Sequence, residues 1–83
     1  MTVWARVLKE QKVLNDLIYS SEKESFEQML RNICQKLDLP TPLVLEKHKK
    51  QFKMFGQAKF ISEEFVESVD LDRLIIENVT DKK

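Results

Sequence analysis

Scarce punctuation constrains this chain most. Pro40, Pro42 and Gly56 are its only prolines and its only glycine. The stretches between them must end at caps and follow a hydrophobic period, because strong breakers are absent. Pro40 biases Leu39 away from helical angles and so closes whatever precedes it. Thr41-Pro42 then reads as a helix start: threonine caps well, and proline at the first helical position gives up no needed hydrogen bond. Gly56 suits a left-handed C-cap, which ends this second helix near Phe55. Leu45, His48, Phe52 and Phe55 form its stripe toward the core.

The segment before Pro40 predicts a helix over 22–38. Ser21 can cap it, and Glu24 three residues on completes a capping box. Phe26, Met29, Leu30, Ile33 and Leu37 recur at helical spacing on one face. Residues 3–19 read as strand, turn, strand. Val3, Val7, Val13 and Ile18 are β-branched, Trp4 and Tyr19 aromatic, and Lys9-Glu10-Gln11-Lys12 is a polar break. A helix also fits this segment, since Trp4, Val7, Leu8, Leu14, Leu17 and Ile18 fall roughly on one stripe. After Gly56, Ser62 caps a short helical turn at 63–67, with Ile61 and Val66 at the spacing of a hydrophobic staple. Residues 74–79 read as a last strand, Leu74 and Ile76 sharing a face.

The expected fold is α+β: a β-hairpin, two helices, a short helical turn and a C-terminal strand. It would form a three-stranded, mainly antiparallel sheet with helices on one face and the last strand beside the first. Residues 1–79 make one small domain and 80–83 a frayed polar tail. A chain of 83 residues has room for one modest core.

Cys34 is the single cysteine, which rules out an internal disulfide and favours a reducing cytosol. No basic region leads into an apolar block at the N-terminus, and no apolar run approaches the ~18 residues of a membrane span. A cytoplasmic protein without membrane contact is the expectation.

Little in the sequence carries chemistry. Cys34 and His48 are the only cysteine and histidine; both fall on apolar helix faces, where a packed thiol and a core-edge imidazole outweigh a nucleophile–base pair. Glu63, Glu64, Glu67, Asp70 and Asp72 form an acidic run. It lacks the glycine and oxygen spacing of a calcium loop, and zinc would want more Cys and His. One glycine makes no phosphate loop. Neither a metal nor a cofactor is expected.

Charge is the one pattern above background. The net charge is zero, yet Lys47, Lys49, Lys50, Lys53 and Lys59 crowd together, and acidic residues dominate from Glu63 onward. Lysines beside Phe52, Phe55 and Phe60 are one way to hold single-stranded nucleic acid or an acidic partner. Against this, Phe52 and Phe55 belong to the core stripe, the lysines form the wet side of an amphipathic helix, and no arginine joins them. A free strand edge at 13–19, and an exposed apolar spot should Met54 and Phe60 form one, favour a protein partner or a second copy.

Ser25-Phe26-Glu27, Ile33-Cys34, Lys36-Leu37-Asp38-Leu39-Pro40-Thr41-Pro42, Glu46-Lys47-His48, Phe65-Val66-Glu67-Ser68-Val69-Asp70 and Leu74-Ile75-Ile76-Glu77 resemble a family of small uncharacterised proteins of anaerobic Gram-positive bacteria. The resemblance spans nearly the whole chain and implies a cytosolic bacterial protein. That family has no known activity, so it passes on no catalytic or binding residue. The sequence therefore points to a non-enzymatic accessory or protein-interaction domain, self-association included. A nucleic-acid-binding module using the lysines is the alternative, and a small enzyme or metal protein the third.

Overall fold

The computed structural model describes residues 1–80. Strand β1 (Thr2–Lys9) turns into β2 (Lys12–Ser20); α1 (Phe26–Lys36) and α2 (Glu46–Phe55) come next; β3 (Gln57–Ile61), a 3-10 turn (Ser62–Glu64) and β4 (Arg73–Asn78) complete the chain. The sheet has four strands in the order β2-β1-β4-β3, each neighbour antiparallel. The α+β class and the pairing of the last strand with the first match the sequence; the strand count does not. The fourth strand is 57–61, directly after Gly56.

The hairpin displaces the helical alternative for 3–19. Its turn residues Glu10 and Gln11 take left-handed angles, φ 53° and 67°, a primed-type geometry that matches strand twist. A bulge at Leu14 breaks the β1–β2 register between Val7 and Leu8.

Side chains alternate across a strand, so directly paired residues share a face. Val3, Ala5, Val7, Leu74, Ile76, Ala58 and Phe60 share one face and are buried. Both helices cover that face. The Phe26 ring of α1 stacks on Phe60 with centroids 6.4 Å apart, and the His48 ring of α2 does so at 4.1 Å. Met29, Leu30, Ile33 and Cys34 complete the core from α1. The opposite sheet face carries Trp4, Arg6, Ile18, Ile75, Lys59 and Ile61, and no element among the described residues covers it.

The helix starts differ from expectation. Ser25, not Ser21, caps α1, its hydroxyl accepting the Gln28 N–H at 3.1 Å. Ser21 and Glu24 do meet, Ser21 Oγ donating to Glu24 at 2.9 Å, but they do so ahead of the helix. Helix α2 begins at Glu46 rather than beside Thr41-Pro42. Pro42 bridges to Phe65, and the Leu43 N–H donates to the Glu64 carbonyl at 2.9 Å, so this stretch is held extended by a distant segment. Of the expected stripe, His48 and Phe52 turn inward, whereas Leu45 and Phe55 are exposed. Val66 is exposed too, so no staple forms with Ile61. Thr80 is anchored, its hydroxyl accepting the Thr2 N–H at 2.9 Å; the rest of the tail read at 80–83 lies outside the described residues. Among the described residues no helix is long and apolar enough to cross a membrane.

Candidate interaction surface

The structure disperses the lysines. Lys47 reaches Glu64 at 2.6 Å, and Lys49 reaches Glu27 at 2.6 Å. The hydrogen bond from Lys49, then the helix backbone, hold the Glu27 carboxyl below its ordinary value. Lys50 and Lys53 stand exposed one turn apart on α2. Lys59 points from β3 to the uncovered sheet face, because its neighbours Ala58 and Phe60 point into the core. The aromatic residues divide as well: Phe60 is fully buried, Phe52 packs on Phe26 at 5.1 Å, and Phe55 is 74% exposed. The exposed spot expected of Met54 and Phe60 therefore does not form, since only Met54 is outside.

Cys34 is buried on α1, and desolvation pushes its thiol up to about 12. His48 is fully buried with both ring nitrogens engaged. Nδ1 accepts the Leu45 N–H at 2.9 Å, which places the proton on Nε2, where it faces Glu64 Oε1 at 3.0 Å. This imidazole caps α2 from its third residue, a role that leucine at the cap position cannot fill. Neither nitrogen is left for a thiol. Within the acidic run, Glu64 serves His48 and Lys47, Asp70 pairs with Lys9, and Asp72 accepts the Glu10 N–H at 2.6 Å. Among the described residues no three His, Cys, Asp or Glu side chains gather as metal ligands.

The two sheet edges differ. In an antiparallel strand the main-chain groups of successive residues point to alternate sides. Met1 and Ser21 exchange hydrogen bonds at 2.7 and 2.8 Å. Tyr19, Leu17 and Asn15 therefore bond to β1, while Ser20, Ile18 and Asp16 point outward. At the other edge the Gly56 carbonyl accepts the Asn78 N–H at 2.7 Å. Ala58 and Phe60 therefore bond to β4, and Gln57, Lys59 and Ile61 point outward.

The chain itself takes two of the three outward amides of the β3 edge, leaving that of Gln57 without an acceptor among the described residues. Gln51 Oε1 accepts the Lys59 N–H at 3.3 Å, and Glu64 Oε1 accepts the Ile61 N–H at 2.9 Å. On β2 the Asp16 N–H meets Asn15 Oδ1 at 2.9 Å. Among the described residues, nothing accepts from Ile18 and Ser20. The same strand exposes Val13, Leu14 and Ile18 by 52%, 56% and 59%. A nine-residue strand with an open edge and exposed apolar side chains is a template for another strand. Strand order in the sequence already marks this edge as free; the partial blocking of the opposite one depends on Gln51 and Glu64 folding back and is not legible there.

The uncovered face beside β2 is orderly. Trp4 pairs across from Ile18, its indole N–H donates to Asp16 at 3.0 Å, and the Arg6 guanidinium lies 4.3 Å above its ring. Arg6 also bonds Glu77 at 2.7 Å. On the helix side of β2, an open cleft of about 480 Å³ is lined by Tyr19, Asn32, Gln35 and Lys36. Two of its lining side chains are tied to each other and to Glu24: Asn32 donates to the Tyr19 hydroxyl at 2.9 Å and to Glu24 at 2.7 Å, and Tyr19 donates to Glu24 at 3.0 Å. No known protein family, curated protein or solved structure matches this chain.

Proposed function

We propose that this chain is a non-enzymatic accessory or protein-interaction domain that recruits an extended strand to its β2 edge. The carrying observation is the asymmetry of the edges. The chain uses Gln51 and Glu64 to take two of the three outward amides of β3, yet leaves the Ile18 and Ser20 amides open among exposed apolar side chains. Strand addition at such an edge draws affinity from the main chain and selectivity from alternate side chains. A cytosolic setting belongs to the same reading and is supported by the free thiol of Cys34.

Amide hydrogen exchange at Ile18 and Ser20 tests it. Slow exchange at these two amides, in concentrated protein or with an added strand-forming peptide, is the expected outcome. Fast exchange under both conditions, together with salt-sensitive binding of single-stranded RNA at Lys50 and Lys53, would replace the reading with a nucleic-acid one.

A further inference from the structure

We infer that the strand taken up by the β2 edge is β2 of a second copy, paired antiparallel about a two-fold axis at Ile18, so that two four-stranded sheets join into one. This rests on the interaction reading above and names its partner.

The β3 edge is largely blocked by the chain's own side chains. A β2 edge that met β3 of the next copy would form a head-to-tail contact and grow without end. Gln51 and Glu64 occupy two of the three outward amides that such growth would use. Among the described residues β2 is the edge whose outward amides at Ile18 and Ser20 are both open, and two such edges that meet each other close after two copies.

The register follows from symmetry. A two-fold axis normal to the sheet keeps each side chain on its own face. Directly opposed residues also share a face, so the axis must lie midway between a residue and its own copy, because neighbouring residues point to opposite faces. Centring on Asp16 sets that carboxylate against itself, which like charges oppose. Centring on Leu17 sets Asp16 against Ile18. Centring on Ile18 sets Ile18 against Ile18, Asp16 against Ser20 and Leu17 against Tyr19. It also uses every outward residue, for roughly six inter-copy hydrogen bonds, with Asn15 releasing the Asp16 amide. The bulge at Leu14 lies beyond this regular stretch.

Charge and space agree. Exposed Lys12 begins β2, and exposed Glu22 lies just past its end. Antiparallel pairing brings the Lys12 end of one copy alongside the Glu22 end of the other. On the helix side, the open cleft at Tyr19 leaves room for the leucine that would face it.

Sedimentation of the full chain across concentration, with two variants, tests the inference. Wild type is expected to approach twice the 9.9 kDa chain mass. Ile18→Pro removes an outward amide without touching the β1 ladder. Ile18→Lys sets two like charges on the axis at an already exposed position. Each should weaken pairing at least about tenfold with unchanged circular dichroism; if the proline variant misfolds, the lysine variant decides. Ile18→Cys should cross-link copies under mild oxidation, buried Cys34 staying silent. A dimer that both folded variants retain overturns the inference. A wild-type monomer at every concentration overturns it too. In that case, protection of Ile18 and Ser20 by an added peptide would keep the wider reading, and its absence would remove both.

Discussion

His48 Nε2 lies 3.0 Å from Glu64 Oε1, and the same oxygen accepts the Ile61 N–H at 2.9 Å. One carboxylate thereby ties the start of α2 to the end of β3. Removing the imidazole leaves a cavity against Phe60 and frees the Leu45 amide, so His48→Ala should cost about 3 kcal/mol. Glu64→Gln keeps the shape and should cost about 1–2 kcal/mol. Urea unfolding reads both. A double mutant whose loss equals the sum of the single losses would contradict the direct coupling of the two residues.

Acid should loosen this joint. Partial burial raises the Glu64 carboxyl, but the Lys47 ammonium, the Ile61 amide and His48 outweigh it and hold the group below its ordinary 4.5. A carboxyl depressed on folding contributes stability that is complete above its unfolded value and is lost as pH falls through the lower folded value. Stability should therefore decline below about pH 4.5, and Glu64→Gln should flatten that decline. Denaturant midpoints measured from about pH 6 down to about pH 2, on wild type and variant, give the comparison.

Cys34 should resist modification. Burial removes the thiolate, which is the reactive form, and both nitrogens of the only histidine are engaged elsewhere. A thiol reagent at about pH 8, near the ordinary thiol range, should label the native protein only at the rate of unfolding and the denatured chain at once. Rapid labelling of folded protein would show that α1 opens locally.

Gln51→Ala should change how the protein associates. The substitution frees the Lys59 amide on β3 and so offers each dimer a further edge through which copies can add. Light scattering should show species larger than a dimer, more so with Glu64→Ala added. A double variant that still stops at two copies would mean that these side chains do not guard the edge.

Much of this architecture is legible in the residues themselves. The hairpin follows from β-branched and aromatic runs about a polar break, even though Glu10 and Gln11 must take angles that glycine usually supplies. Leu74 and Ile76 point to the core as their alternation requires. Strand β3 carries a period of two as well: Gln57, Lys59 and Ile61 are exposed around buried Ala58 and Phe60. That signal is only five residues long and comes after a helix with a single glycine between. The start of α2 is illegible for a different reason. Thr41-Pro42 has the local chemistry of a cap, but the pull on this stretch comes from Phe65 and Glu64, and the cap itself comes from a histidine inside the helix. The lysines look like one cluster along the chain; Gly56 turns the backbone between Lys53 and Lys59 and sends them to different faces.

Gly56, at φ 73°, joins α2 to β3 in a single step. Two pieces of this molecule are therefore local in sequence: the β1–β2 hairpin and the helix–strand unit around Gly56. Each closes a short loop, at small entropic cost. What unites them is β4, which lies between β1 and β3 and pairs Val3 with Asn78 across almost the whole chain. Contacts of that span are what slow folding. The insertion of β4 is thus the step expected to set the rate, and substitutions at Leu74 or Ile76 should slow folding more than equally costly ones in α1. Until β4 arrives, β1 and β3 each carry an unpaired inner edge, and the fold's two halves have no sheet in common.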